Sequence, residues 1–105
     1  QLETVISFGA GRMVVDAPQY PNVERVAVYL KKHPRARVVV RGYASPNGNF
    51  ATNKRIAQLR AEAVKNLLIA QYGISKDRID AAGQGVGDFF LEPEWNSVAI
   101  CTITD

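Results

Sequence analysis

A strand-forming run joined by a short turn to a long amphipathic segment constrains this fold more than any other sequence feature. The run Val38–Val40 holds three β-branched residues, which indicates a strand covered on both faces, as in a sheet with parallel pairing. In the turn Ser45–Gly48, Pro46 sets φ and an Asn-Gly pair tolerates left-handed geometry. A helix is predicted over Phe50–Tyr72, and Gly73 is its expected left-handed cap.

The remaining segments complete a predicted order of β-α-β-α-β-β. Strands are predicted over 2–8, 78–82 and 98–103, and a first helix over the apolar periodicity that precedes Pro34. Strand–helix–strand repeats favour right-handed crossovers and parallel neighbours. The expected fold class is α/β, an α+β sandwich in which two helices pack on one face of a four-stranded mixed sheet.

The composition is that of one ordinary globular domain. The chain has 105 residues, of which 47% are hydrophobic and 22% charged. Its net charge of +3 is spread along the chain, so nucleic-acid binding is not expected. No run approaches the roughly 20 apolar residues of a membrane span. Because the chain begins at Gln1 rather than Met, we expect it to be part of a longer protein.

Residues that could carry catalysis or bind a metal are sparse. The sequence has no defensible Ser-His-Asp order, no H-E-x-x-H and no P-loop, so a non-catalytic domain without a cofactor is predicted. The sole histidine, His33, is interpreted as a helix-end residue beside Pro34, because a metal site needs further His or Cys ligands nearby. Cys101 has apolar neighbours and is predicted to be a buried packing residue.

One charged residue falls on the apolar side of the predicted second helix. On a wheel of 100° per residue with Ile56 at zero, Arg60 lies at roughly 40° and Asn53 at roughly 60°. Three interpretations of Arg60 stay open. It reaches water past apolar surface, it pairs with an internal carboxylate, or it binds a ligand carboxylate beside the turn after the second strand. The candidate internal carboxylates are Asp16, Asp80 and Asp88. The amide of Asn53, which can both donate and accept, favours the third interpretation.

The segment after the third predicted strand combines glycines with large apolar residues. Gly83, Gly85 and Gly87 do not follow the dinucleotide-binding pattern, and they predict a loop with unusual backbone angles. The apolar residues that follow have two interpretations: they cover one end of the core, or they form a surface for a protein partner. These residues are Phe89, Phe90, Leu91 and Trp95.

Four stretches of the sequence follow the spacing of a known domain. They are Val-Val-Val-Arg-Gly-Tyr-Ala-Ser-Pro-Asn-Gly (38–48), the series Asn53, Ile56, Arg60, Ala61, Val64 and Leu68, the pairs Gly73-Ile74 and Arg78-Ile79, and Gly83-x-Gly85. Together they resemble the C-terminal domain of OmpA-like outer-membrane proteins, which also occurs in peptidoglycan-associated lipoprotein and flagellar stator proteins. The resemblance covers essentially the whole chain, and the predicted element order agrees with the fold of that family.

The resemblance implies a set of ligand-binding residues for the diaminopimelate of a peptidoglycan stem peptide. In the family an Arg takes the carboxylate, an Asn seven residues earlier helps, and an Asp takes the neighbouring ammonium. Arg60 and Asn53 match this pattern, whereas Ser45 stands at the Asp position and Ala44 at the preceding Thr position. A serine hydroxyl supplies no charge, so weakened or altered stem-peptide recognition is expected. The arginine pair usual before Val98 is also missing.

The function implied by the resemblance is attachment of the parent protein to the cell wall. The chain, residues 1–105, is then a single non-catalytic domain of a longer cell-envelope protein. Its expected location is the periplasm, where it would be attached to an outer-membrane protein or a lipoprotein. The alternative is that the fold has lost peptidoglycan binding and serves as a protein-interaction module through Phe89, Phe90 and Trp95.

Overall fold

The predicted order of strands and helices is confirmed by a computed structural model, which describes residues 2–46 and 48–105. Its six principal elements are β1 (Leu2–Ser7), α1 (Tyr20–Lys32), β2 (Arg37–Ala44), α2 (Phe50–Ala70), β3 (Ile79–Val86) and β4 (Val98–Thr104). Short 3₁₀ turns precede α1, β3 and β4, at Ala17–Gln19, Lys76–Arg78 and Pro93–Asn96. The left-handed cap expected at Gly73 is present, with φ +70°.

The four strands form one mixed sheet, as the sequence predicts. Their spatial order is β1-β4-β2-β3. β2 and β3 run parallel, while β4 runs antiparallel to both β1 and β2. In the turn that leads from β2 to α2, Gly48 has a φ of +86°, which glycine adopts readily. Asn47, the other residue expected to take left-handed geometry there, lies outside the described residues.

The core lies between the two helices and one face of the sheet. Val38 and Val40 are fully buried, whereas Val39, which points to the opposite face, is only half-buried. The expectation that β2 is covered on both faces is therefore wrong. The valine run reflects β propensity, but only one edge of β2 pairs with a parallel strand, and mixed sheets of this kind tolerate one solvated face. Arg37 and Arg41 are exposed on that open face.

Two glycines allow α2 to rest directly on the sheet. A Cβ atom at Gly42 would overlap the carbonyl oxygen of Ala57, and one at Gly83 would overlap the backbone nitrogen of Gln58. The loop predicted for Gly83, Gly85 and Gly87 is wrong for the first two, because β3 continues to Val86 and includes them. Gly83 is needed for close helix–strand packing rather than for a loop, while Gly85 does adopt a left-handed φ of +95°.

The C-terminal end of α1 is held by an arginine from the turn before β3. The Arg78 guanidinium donates to the carbonyl oxygens of Leu30 and His33 at 2.8 Å each, and to that of Ala36 at 3.0 Å. The last carbonyls of a helix have no partner within it, so the bond to Leu30 caps the helix end, while the bonds to His33 and Ala36 hold the turn that follows α1. His33 is the helix-capping residue and stacks on Tyr29, with ring centroids 4.0 Å apart.

The single cysteine lies in the interior of the domain. Cys101 is fully buried within the core, as predicted. Across residues 2–46 and 48–105, no helix has the length and apolar character needed to cross a bilayer. In the same ranges, no three His, Cys, Asp or Glu side chains are grouped in a way that could hold a metal ion.

Candidate functional site

Arg60 lies on the buried stripe of α2, where the helical wheel places it. Its residue surface is 2% exposed. Its Nε donates to the carbonyl oxygen of Arg12 at 2.9 Å, and one terminal nitrogen donates to that of Tyr43 at 3.0 Å. The other terminal nitrogen makes a long contact of 3.5 Å with the carbonyl oxygen of Gly9. The side chain therefore ties α2 to the end of β2 and to the loop after β1.

These contacts decide two of the three interpretations of Arg60. The snorkelling interpretation is wrong, because the guanidinium does not reach open solvent. The internal ion pair is also wrong, since no carboxylate among residues 2–46 and 48–105 pairs with Arg60. Asp16 pairs instead with Arg12 at 2.8 Å, and Asp80 with Arg37 at 3.5 Å. Backbone carbonyls take the place expected for a carboxylate.

The electrostatic setting of Arg60 is that of a buried cation without an anion. Desolvation lowers the pKa of Arg60 from its ordinary value, but a guanidinium keeps its proton at any physiological pH. The ring of Phe8 lies 5.5 Å from the guanidinium carbon and offers a modest cation–π attraction. Carbonyl dipoles and this ring stabilise the charge in part, but they do not neutralise it.

A cavity of about 260 Å³ lies beside Arg60 at the end of β2. Its walls come from the loop after β1, the end of β2, the first turns of α2 and the turn before β4. The lining residues are Ala10, Gly11, Ala44, Ser45, Asn53, Ile56, Arg60, Glu94 and Ser97. The structure thus brings together all four residues that the sequence nominated, Arg60, Asn53, Ser45 and Ala44, around one small cavity.

Asn53 and Ser45 occupy different depths in this cavity. Asn53 is 5% exposed and lines the cavity wall from α2. Ser45 is half-buried, just beyond the end of β2. The helix start that orients Asn53 is fixed by Asn49, whose side chain accepts a bond from the Thr52 backbone N–H at 2.8 Å. An amide and a hydroxyl therefore stand beside the guanidinium as polar groups of the wall.

Glu94 is a wall residue that sequence reasoning missed. It lies on the 3₁₀ turn Pro93–Asn96 and brings the one carboxylate among the lining residues to the cavity that Arg60 also borders. No motif marks it, because it comes from a segment far from the strand–turn–helix pattern on which the site was predicted. Only the folding of the β3–β4 connection against the end of β2 places it there.

Asn96, also missed, holds that connection in shape. It is 2% exposed, and its side-chain oxygen accepts from the backbone N–H groups of Phe89 at 2.8 Å and Phe90 at 3.1 Å. Its amide nitrogen donates to nearby carbonyl oxygens, including that of Pro93 at 3.2 Å. A buried asparagine with a fully engaged amide fixes a loop strongly, as Asn residues commonly do in turns. In the sequence, the signal for this role was an asparagine placed just before a predicted strand.

The aromatic residues of the same connection remain on the surface. Phe89, Phe90 and Trp95 are 49%, 41% and 60% exposed. Phe89 packs edge-on against Tyr43, with ring centroids 4.7 Å apart. The interpretation that this segment covers one end of the core is therefore wrong, because these side chains do not pack against the buried core cluster. A partner surface at these residues stays a prediction.

The arrangement of the strands, the helices and this site can be compared with known proteins. The sequence profile of the OmpA family matches residues 7–94. The chain belongs to the OmpA family. Among curated OmpA-like relatives, it is 33% identical over 99 residues to outer membrane protein 41 of Porphyromonas gingivalis, covering 93% of this chain and 25% of that protein. It is 34% identical over 80 residues to the peptidoglycan-binding protein ArfA of Mycobacterium bovis, covering 76% of this chain and 24% of that protein.

The OmpA fold is also evident from solved structures. The peptidoglycan-associated lipoprotein of Burkholderia pseudomallei superposes with a TM-score of 0.86 at 22% identity, covering 96% of this chain and 90% of that chain. This similarity shows the fold. The present chain spans about a quarter of the length of the curated relatives named above.

Proposed function

We propose that this OmpA-family domain binds bacterial peptidoglycan without cleaving it and so tethers a longer parent protein to the cell wall. The observation that carries the proposal is the buried guanidinium of Arg60, which borders a small cavity and has no carboxylate partner among the described residues. An anionic group entering that cavity would meet a preorganised cation.

The donor count of Arg60 supports a carboxylate as the ligand group. A guanidinium carries five N–H donors in a fixed fork. Hydrogen bonds to the described residues account for three of them, one on each nitrogen. One N–H on each terminal nitrogen is left, and a carboxylate can accept such a pair through two parallel bonds. A bound carboxylate would also neutralise a buried charge, which is costly to leave unpaired.

The comparisons support peptidoglycan as the source of that carboxylate. The Mycobacterium bovis relative is named a peptidoglycan-binding protein, and the Burkholderia pseudomallei neighbour a peptidoglycan-associated lipoprotein. The stem peptide of peptidoglycan offers a diaminopimelate end with a carboxylate beside an ammonium. We propose that Arg60 takes this carboxylate, that Asn53 assists it, and that Ser45 and Ala44 line the neighbouring wall. The domain would act in the periplasm, joined to an outer-membrane protein or a lipoprotein.

Co-sedimentation with insoluble peptidoglycan tests the proposal. The purified chain is expected to pellet with peptidoglycan at low salt, and Arg60→Lys to pellet much less, because lysine keeps the charge but lacks the fork. Arg55→Lys is the matched control, since Arg55 is exposed on the same helix. Circular dichroism would confirm that each variant is folded. If the unchanged chain stays in the supernatant at low salt, the proposal is wrong.

A second candidate function is favoured by the exposed aromatic residues. Phe89, Phe90 and Trp95 lie close together in the chain and are 41–60% exposed, and an apolar patch of this kind often marks an interaction site. They would serve a protein partner in the envelope, with or without peptidoglycan binding. Trp95→Ala is then expected to reduce the amount of cross-linked complex between the parent protein and its envelope partner, while leaving sedimentation with peptidoglycan unchanged. If Trp95→Ala leaves the complex intact, this candidate fails.

A further inference from the structure

The cavity beside Arg60 has walls of opposite charge. Arg60 supplies a guanidinium from α2, and Glu94 supplies a carboxylate from the turn before β4. Two charges of opposite sign facing one cavity of about 260 Å³ suit a small end group that itself carries both signs. A ligand with a carboxylate alone would leave Glu94 near its own negative charge.

The backbone that carries Glu94 is well anchored. The Ser97 N–H donates to the Glu94 carbonyl oxygen at 3.2 Å, and the Trp95 N–H donates to that of Glu92 at 3.0 Å. The engaged amide of Asn96 fixes the preceding residues from inside. The backbone of Glu94 is therefore fixed, so only its side-chain rotamers remain to be ordered when a ligand binds.

The Glu94 carboxylate is also accessible. It forms no ion pair and no hydrogen bond with the side chains of residues 2–46 and 48–105. It lies between two cavities, because it also lines a neighbouring hollow of about 310 Å³ beside Phe90 and Trp95. The group can therefore be reached from outside without breaking an existing contact.

We infer that Glu94 takes the ammonium of a zwitterionic amino-acid end group whose carboxylate is held by Arg60. The inference rests on the proposed function and adds the residue that would recognise the second charge. Ser45 borders the same cavity with a hydroxyl, and a hydroxyl accepts a weaker hydrogen bond from an ammonium than a carboxylate does. Recognition of the ammonium thus moves from the end of β2 to the β3–β4 connection.

Isothermal titration with two soluble muropeptides tests this assignment. One ends in diaminopimelate with a free amine, and the other carries the same amine acetylated. The unchanged chain is expected to prefer the free amine about tenfold, the effect of one charge-assisted hydrogen bond. Glu94→Gln is expected to remove this preference by weakening the free-amine ligand alone. Glu92→Gln is the matched control, because Glu92 is exposed on the same connection and lines neither cavity.

The outcomes separate this inference from the proposed function. If Glu94→Gln retains the full preference for the free amine while Arg60→Lys loses both ligands, peptidoglycan binding stands and the role of Glu94 is overturned. If the unchanged chain binds neither muropeptide, the proposed function fails, and the role of Glu94 fails with it. Restoration of the preference by Ser45→Asp in the Glu94→Gln background would support the assignment further, because it supplies an ammonium partner at the other wall.

Discussion

The Arg60 guanidinium donates a 3.0 Å hydrogen bond to the backbone carbonyl oxygen of Tyr43 and so links the middle of α2 to the end of β2. The same side chain reaches the loop after β1 through the carbonyl oxygen of Arg12. Arg60 therefore links three parts of the fold and also forms part of the wall of the candidate site. Removal of Arg60 is consequently expected to affect both stability and binding.

Arg60→Met is expected to destabilise the fold by about 2–4 kcal/mol, because it leaves buried carbonyl oxygens without a donor. The free energy of unfolding in urea is the quantity to measure. Arg55→Met, on the exposed face of the same helix, is expected to change it by less than about 0.5 kcal/mol. Equal losses in the free energy of unfolding for the two variants would contradict the structural role of Arg60.

Arg78 plays a comparable structural role at the end of α1. Arg78→Ala would remove the donors to the carbonyl oxygens of Leu30, His33 and Ala36. We expect a loss of about 2–3 kcal/mol of stability, since three carbonyls at the end of α1 and in the turn after it lose a charged donor at once. Arg37→Ala removes a surface ion pair with Asp80 and is expected to cost less than about 1 kcal/mol. Thermal melts of both variants would reveal the difference, and a similar shift in melting temperature for the two would disprove it.

The contact between α2 and the sheet depends on Gly42. A methyl group there would overlap the carbonyl oxygen of Ala57, which is backbone and cannot move aside as a side chain would. Gly42→Ala is therefore expected to cost about 3 kcal/mol or to prevent folding. Gln84→Ala, on an exposed position of β3, is the control and is expected to remain near the stability of the unchanged chain. The yield of folded protein and its urea midpoint are the measurements, and a stable Gly42→Ala variant would refute the close packing.

The burial of the Cys101 thiol makes the stability of the fold depend on pH in the alkaline range. Burial raises the pKa of Cys101 to about 12, above the value of about 8.5 for an unfolded thiol. The folded state therefore favours the neutral thiol. The stability that depends on a neutral thiol is fully present below the unfolded pKa, and it is lost progressively as pH rises from about 8.5 towards about 12. Ellman's reagent at pH 8 is expected to react with Cys101 only after denaturation. Rapid labelling of the folded chain would show that the thiol is accessible.

Much of the fold could be predicted from local pattern, and the site only in part. The apolar periodicity and the turn residues gave the element order, because they reflect local burial and backbone preferences. The wheel placed Arg60 and Asn53 correctly because both lie within a single helix. The two-sided burial of β2 and the loop at Gly83 were wrong, since both depend on which elements pack on which face. Glu94 and Asn96 were missed because their positions depend on the β3–β4 connection returning to the end of β2.

Ser45→Asp tests how the two walls of the cavity share the recognition of an ammonium group. Ser45 is half-buried at the end of β2 and borders the same cavity as Arg60 and Glu94. A carboxylate at this position would add a second anion, and charge-assisted bonds are about twice as strong as neutral ones. We expect about three- to tenfold tighter binding of the free-amine muropeptide and no gain for its acetylated form. Titration calorimetry at two salt concentrations is the measurement, because an electrostatic gain must shrink as salt rises.

Ser45→Asn, which adds bulk without charge, is the matched control. An equal gain from both substitutions would mean that shape rather than charge limits binding, and no gain from Ser45→Asp would mean that the cavity does not admit the ammonium beside β2.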